Sequence, residues 1–266
     1  MANETKKFGC VLYEREGNIA TVTLNRPERR NALGDTLRED IVAAMGTACC
    51  DDSVRVVILT GAGTAFCSGG DVGELLDRAE NGRPIEDKIA PQRDRTLLAI
   101  YECPKPVIAA VNGPAMGAGM NLALAADIRI ASDTAIFSQS HVKRGMMPDY
   151  GGTYLLPLIV GYSKAYELIY TAITIDADEA LRLGLVSQVV DSKLLLETAA
   201  SLARTIAKNA PVPLRLAKIA VQLHSGDLRQ ALDRETAAQN VCYDSIDAQE
   251  GLKAFTEKRE PVFIGS

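Results

Sequence analysis

Residues 105–127 read KPVIAAVNGPAMGAGMNLALAAD, and three patterns succeed one another within them. The stretch 106–111 is a short apolar run opened by a proline, which predicts a buried strand. A glycine-rich turn follows, and from Gly117-Ala118-Gly119 an apolar segment continues to about Ala125 as a helix. Upstream, VRVVILTGAGTAFCSGGD (54–71) repeats that order. It has a buried β-branched strand over 54–60, a glycine-rich loop, and a helix opened by Ser68-Gly69-Gly70-Asp71 that runs through Leu76. Strand, glycine turn and helix occurring twice predict an α/β fold built on a repeated unit.

Outward from these, VLYEREGNIATVTL (11–24) predicts two strands joined at Gly17-Asn18. Asp35 precedes a helical pattern that sets Leu37, Ile41, Ala44, Met45 and Ala48 on one side. The polar stretch DRAENGRPIEDKIAPQ (77–92) predicts a mobile loop leading to a helix through about Tyr101. Strand patterns return at 128–130 and 135–137. From about Tyr162 the chain reads as helical, over 164–171, 177–183 and several segments between Ser192 and Glu257. Only 186–190 interrupts it as a strand.

The bulk composition narrows the partners. A chain of 266 residues with a formal charge of −5 and a pI near 5.2 carries no broad polyanion-binding surface, so nucleic acid is not an expected partner. No apolar run reaches the roughly 18 residues of a membrane span. The start, MANETKKFGCVLYE, lacks the apolar core of a secretory signal and the basic amphipathic character of a transit peptide. Cysteines at 10, 49, 50, 67, 103 and 242 have no metal-ligand spacing and read as inert thiols of a reducing cytoplasm.

After its strand, GAGTAF (61–66) partly matches the glycine fingerprint of dinucleotide sites. Phe66 stands where the third glycine belongs, however, and no acidic residue follows in a second strand. The loop also lacks the Lys-Ser/Thr ending of a phosphate loop, and no G-x-S-x-G elbow supports a serine hydrolase. Helices that open at glycine-rich turns present unpaired N–H groups, favourable to negative charge. Two such turns converging on one point would make an oxyanion hole. Close packing of helix on strand is the other reading of the same glycines.

LNRPERRNAL (24–33), TGAGTAFCSGGDV (60–72), KPVIAAVNGPAMGAGMNLALAADIRIAS (105–132), PDYGGTYLLPLIVGYSKAYEL (148–168), DADEALRLGLVSQVVD (176–191) and FTEKREPVF (255–263), taken in order, resemble the enoyl-CoA hydratase/isomerase, or crotonase, superfamily. The likeness covers nearly the whole chain and is nearest to the single-aspartate acyl-CoA isomerases. It implies a spiral of strand–strand–helix repeats with a C-terminal helical oligomerisation region. On that reading residues 1–200 form the spiral core, and 201–266 pack between subunits of a homotrimer or a dimer of trimers. The resemblance also implies an acyl-CoA substrate and an enolate held at the thioester oxygen. Coenzyme A then enters as part of the substrate, with no tightly bound cofactor and no metal.

Carried onto this chain, the oxyanion donors are the N–H of Gly70, in an F-x-x-G-x-D pattern, and the N–H of Ala118, the middle of G-A-G. Only the backbone acts there, so alanine is acceptable. Arg26, Arg29 and Arg30 fall in the nucleotide-binding segment, and Ala65, Phe66 and Ser68 fall beside the adenine and pantetheine path. Phe255 and Lys258 belong to a C-terminal motif that reaches a neighbouring subunit's CoA. A solvated surface is the alternative reading of each charged residue.

Hydratases of the superfamily use two glutamates, one on each side of the added water. Their slots here hold Asn121 and, in FSQSH (137–141), His141. Asn121 hydrogen-bonds but exchanges no proton near neutrality. A histidine side chain can exchange a proton near neutrality, so His141 is a candidate acid or base, or else a hydrogen-bonded wall. MMPDYGGT (146–153) supplies the one acid: common hydratases carry glycine where Asp149 stands, whereas several isomerases, including ring-opening epoxide and oxepin CoA isomerases, carry an acid.

One carboxylate suffices to move a proton between two carbons of an acyl chain while the oxyanion hole holds the dienolate. Met146, Met147, Tyr150 and Leu155 are expected to give it apolar surroundings. The expected activity is an acyl-CoA isomerase with Asp149 as acid and base. A hydratase-type lyase, in which His141 with Asn121 or Asp149 positions water, is one alternative; a non-catalytic acyl-CoA-binding protein is another. On residue chemistry alone, Asp149 also suits the N-cap of a helix from about Gly152.

Overall fold

The computed structural model describes residues 3–80, 86–223 and 245–266, together with Leu232, Thr236, Ala237, Gln239, Val241 and Cys242. Its main sheet begins with three antiparallel strands, β1 (Glu4–Phe8), β2 (Val11–Glu16) and β3 (Ile19–Leu24), the last two joined by the expected turn at Gly17-Asn18. Parallel strands then extend it: β4 (Val56–Gly61), β5 (Val107–Val111), β7 (Ile128–Ser132) and β10 (Gln188–Val190), giving the order β1-β2-β3-β4-β5-β7-β10.

Strand β4 shows why this sheet is buried on both faces. Val57 and Leu59 join the core beneath helix α1 (Leu37–Cys50), with Leu37, Ile41 and Met45. Val56 and Ile58 turn the other way, onto Leu195, Ala199 and Ala203 of helix α8 (Leu195–Ala207). Side chains alternate along a strand, so a run apolar at every position needs a helix on each side. Helix α8 runs across residue 200.

A second, shorter layer stands over the first. Strands β6 (Ala115–Met116), β8 (Ile136–Ser138) and β9 (Ile175–Asp176) form a small sheet, with β6 and β8 parallel. Isolated parallel bridges, Leu33 with Gly70 and Cys67 with Ala115, prolong it. Strands β3, β4, β5 and β7 are each followed by a short extended piece in the second layer and then by a helix or 3₁₀ turn, which is the strand–strand–helix spiral.

Helix α2 (Val72–Glu80) follows Gly70, and α4 (Ala118–Leu124) follows β6. The 3₁₀ turn Ser140–Arg144 follows β8, and α5 (Gly152–Val160), α6 (Tyr162–Thr171) and α7 (Ala177–Arg182) come after it. Helices α9 (Pro211–Gln222) and α10 (Ile246–Glu257) complete the described part of the helical tail.

Three expectations are corrected. Strand β1 went unread because its middle residues Thr5, Lys6 and Lys7 are exposed and show no apolar alternation. The loop expected over 77–92 is largely helical: α2 continues to Glu80 and helix α3 (Glu86–Tyr101) begins six residues later, while 81–85 lie outside the described residues. Asp71 starts α2 by accepting the Gly73 N–H at 3.0 Å, and polar residues such as Glu, Lys and Arg are good helix formers. Strand β9 also breaks the helical stretch after Tyr162, in addition to β10.

Candidate active site

The two glycine-rich turns meet. A Cβ built on Gly69 would lie 3.7 Å from the Ala118 nitrogen and 2.7 Å from the Met116 carbonyl oxygen, so the backbones are in contact there. Gly119 fits even more tightly, since its added Cβ would stand 2.1 Å from the Cys67 carbonyl oxygen. The glycines allow the close approach of the two turns, and Gly70 and Ala118 line the same cleft. Among the described residues neither N–H is paired with an acceptor. Next to them the Cys67 thiol is pushed up to about 12 by burial, against a hydrogen bond from the Gly69 N–H, so it stays protonated.

The cleft, of about 130 Å³, is walled by Gly70, Ala118, His141, Asp149, Tyr150 and Arg38, with Val72, Met116 and Met146 supplying apolar surface. Asp149 does not cap α5. Gly151 holds the N-cap position, without a side-chain bond, and the Asp149 carboxylate instead meets His141, Oδ1 lying 3.0 Å from Nε2. His141 is nearly buried, while the Asp149 side chain is 31% exposed toward the cleft. The ring's other nitrogen, Nδ1, is buried with no partner among the described residues. The tautomer with its proton on Nε2, donating to Asp149, fits both facts. The ring also rests against the second turn, 3.4 Å from where a Gly117 Cβ would be.

Asn121 lies behind this site rather than in it. It is fully buried, its Nδ2 donates to the Asp149 backbone carbonyl at 2.7 Å, and its Oδ1 accepts from Gln139 Nε2 at 2.6 Å. Its amide holds the turn that carries Asp149. Of the expected apolar neighbours, Met146 and Tyr150 line the cleft; Met147 is 72% exposed and Leu155 belongs to the core.

Arg38 and the Tyr150 hydroxyl were not anticipated. Arg38 stands in the first turn of α1 and is buried. It donates from Nε to the Tyr150 hydroxyl at 3.2 Å and from Nη2 to the Leu33 carbonyl, and its Nη1 faces Glu74 at 3.6 Å. Burial pushes the Tyr150 phenol up to about 12, despite the pull of Arg38. The available signal was position: Arg38 adjoins the stripe Leu37, Ile41, Met45, where a charged side chain has to be paired. Arg144, which also lines the cleft, donates to the Ser140 carbonyl and hydroxyl.

The residues expected along a CoA path are spread differently. Arg29 and Arg30 are exposed in the turn Pro27–Arg29 and just beyond it. The Arg30 carbonyl accepts the Ser68 N–H at 3.0 Å, which sets this segment beside the cleft that Ser68 lines. Arg26 is committed internally, to the Ala32 carbonyl at 2.7 Å and Asp71 at 3.4 Å. Ala65 and Phe66 are buried core residues, so only their backbone can face a ligand. Lys258 is exposed just past α10 and does not line this cleft, and the Phe255 side chain lies outside the described residues. No group of three or more His, Cys, Asp or Glu side chains is gathered as for a metal among the described residues. No helix among them is long and apolar enough to cross a membrane.

A two-layer strand–strand–helix spiral is the architecture of the crotonase-fold enzymes. The enoyl-CoA hydratase/isomerase family model matches residues 14–266, and the chain belongs to that family. It is 40% identical over 253 residues to a short-chain-enoyl-CoA hydratase of Clostridium acetobutylicum, covering 94% of this chain and 95% of that one. It is 37% identical over 257 residues to a 1,2-epoxyphenylacetyl-CoA isomerase of Escherichia coli, covering 96% and 98%. The crystal structure of an enoyl-CoA hydratase from Bacillus anthracis superposes with a TM-score of 0.90 at 36% identity, over 97% of this chain and 100% of that one.

Proposed function

We propose that the chain is an acyl-CoA isomerase that moves a double bond through a dienolate of a CoA thioester, with Asp149 as its single acid and base. The observation carrying this reading is that Asp149 is the only carboxylate among the described residues lining the cleft that Gly70 and Ala118 also line. The thioester oxygen accepts hydrogen bonds from both N–H groups. Asp149 takes a proton from the carbon beside the thioester carbonyl, and the electron pair is shared between that oxygen and the neighbouring double bond as a dienolate. The protonated Asp149 then returns the proton to the far carbon of the former double bond, so nothing is gained or lost overall. Each donor is worth about 3–4 kcal/mol when aimed at the developing charge, and a positioned acid–base group about 10²–10⁴-fold in rate.

His141, donating to Asp149, fixes the carboxylate against the second turn. A second reading keeps the same enolate and adds water held between His141 and Asp149. The 3.0 Å contact and the relatives named hydratases favour it. Asn121 has no part in it, because both ends of its amide are already bonded within the protein.

The test is incubation with a panel of 2- and 3-enoyl-CoA thioesters in deuterated water. A shifted double bond, carrying deuterium at the receiving carbon only to the extent that the Asp149 proton exchanges with solvent before its return, abolished by Asp149→Asn with CoA-thioester binding retained, is the expected result. Hydroxyacyl-CoA as the main product would transfer the assignment to the second reading. Assembly as a homotrimer or a dimer of trimers through residues 201–266 is part of the proposal. It is supported by the exposed Val221, Leu223, Ile246 and Leu252 of the tail, and light scattering on the intact chain checks it.

A further inference from the structure

The turn that carries Asp149 delivers a second polar side chain to the cleft, and the isomerase reaction gives it no task. Tyr150 holds a left-handed backbone conformation, φ 47°, which a bulky residue seldom adopts and which concentrates at functional sites. With it, consecutive residues 149 and 150 both face the same cleft. The ring is buried, 7% exposed, and its hydroxyl is held by Arg38 Nε at 3.2 Å.

That contact fixes which way the phenolic proton points. A guanidinium only donates, so the Tyr150 oxygen is the acceptor and its O–H must seek an acceptor elsewhere. No acceptor is bonded to it among the described residues. Arg38 cannot swing away, because Leu33 and Glu74 hold its other nitrogens and Thr96 bonds its carbonyl. The phenol also remains protonated through the physiological range, since burial raises it to about 12. A phenolic donor with its lone pair engaged and its proton unengaged stands beside the proposed acid–base group, in a cleft whose apolar surface comes from Val72, Met116 and Met146 and whose other polar side chains include Ser68, Ser140, His141 and Arg144.

We propose that Tyr150, fixed by Arg38, is a hydrogen-bond donor to an oxygen atom on the acyl group, and that it selects oxygen-bearing acyl-CoA thioesters over their hydrocarbon counterparts. A hydroxyl, an epoxide or a carbonyl oxygen meets the requirement, since each accepts one hydrogen bond without bringing a charge. This rests on the reading of the cleft as an acyl-CoA site and names the kind of acyl group that it takes.

Dissociation constants measured by calorimetry test it without requiring turnover. The ligands are 3-hydroxybutyryl-CoA against the shape-matched 3-methylbutyryl-CoA, and 4-hydroxybutyryl-CoA against pentanoyl-CoA. In the wild-type protein one hydroxy ligand is expected to bind about fivefold to tenfold tighter than its methyl match, the range of a single hydrogen bond. In Tyr150→Phe that ratio falls to about one. Replacing tyrosine throughout by 3-fluorotyrosine, which makes the phenol a stronger donor and leaves the side chain's shape nearly intact, raises the ratio. No hydroxy preference in the wild type, a preference that survives Tyr150→Phe, or a ratio indifferent to fluorination overturns the proposal. If 3-methylbutyryl-CoA and pentanoyl-CoA bind and the ratios are flat, only the Tyr150 assignment fails. If no thioester binds, the acyl-CoA reading fails and takes this one with it.

Discussion

Backbone donors cannot be deleted by substitution, but they can be moved, and Gly119→Ala is the change that moves one. The added Cβ would stand 2.1 Å from the Cys67 carbonyl oxygen, 2.7 Å from its carbon and 2.8 Å from the Cys67 Cβ. An unstrained C···O contact is about 3.3 Å, so helix α4 and the Cys67 strand must part by about 1.2 Å. Neither partner is the tip of a flexible side chain. The Cys67 carbonyl also accepts the Met116 N–H at 2.9 Å, and parting the layers strains that bond. Overpacking costs about 1–3 kcal/mol and a weakened hydrogen bond about 1 kcal/mol. For a chain of this size the sum lowers Tm by roughly 5–15 °C.

Displacement of the Ala118 N–H by about 1 Å is expected to cost on the order of 10²-fold in kcat/KM. Circular dichroism melts and enoyl-CoA kinetics read the two effects separately. The control is Gly46→Ala in α1, whose added Cβ meets no heavy atom within 4 Å, so stability rises by about 0.5–1 kcal/mol with kinetics untouched. If Gly119→Ala keeps its Tm within about 2 °C and its kcat/KM within about threefold, the tight convergence of the two turns is not what positions the donor.

Burial raises the Asp127 carboxyl above its ordinary range, opposed by Lys218 Nζ at 2.9 Å. A carboxyl raised on folding contributes stability that is fullest at low pH and is lost as pH climbs through its folded value. Lys218→Met raises it further, so the variant's deficit is about 1–3 kcal/mol at neutral pH and shrinks toward about pH 4. Urea melts at the two pH values check this, and a deficit independent of pH would refute the coupling. Elsewhere, the Cys49 and Cys103 sulfurs lie 3.1 Å apart, and the hydrogen bond from Cys49 lowers the Cys103 thiol to about 7. Diamide, reduced to its hydrazide as it oxidises two thiols, is expected to yield a crosslinked Cys49–Cys103 peptide on mass mapping. Crosslinks through Cys50 instead would show that the pairing is wrong.

What could be read in the sequence was local or strongly periodic. Strands β4 and β5, the buried stripe of α1 and the Gly17-Asn18 turn each announce themselves within a few residues. The second layer does not: β6 and β9 are two residues long, and Leu33 meets Gly70 through a single bridge. Such pieces become strands only because distant chain lies alongside, so no window of sequence contains the cause. Arg38 was hidden for the same reason, since its partner Tyr150 is 112 positions away. Asp149 was legible because proline and glycines fence it in. That its carboxylate turns from the helix end to His141 follows from Gly151 taking the cap position.

Asn121 shows how far a position in a motif can diverge from the role usually attached to it. The family resemblance puts it in the slot of a hydratase glutamate, yet the side chain is fully buried and ties Gln139 to the Asp149 carbonyl. A Cβ on Gly152 would fall 2.4 Å from its amide nitrogen, so the second glycine of the Asp149 turn is the space that this amide occupies. On the proposed function, the backbone donors on the two glycine turns are independent of either side chain and can serve any enolate. With them fixed, an acid can be lost at 121 and gained at 149 without dismantling the enolate site, provided the residue left at 121 satisfies the buried groups around it. An amide does so with one donor and one acceptor. A carboxylate there would set an acceptor against the backbone carbonyl of residue 149, so the amide at 121 is tied to the backbone path of the turn that carries Asp149 rather than to the aspartate side chain.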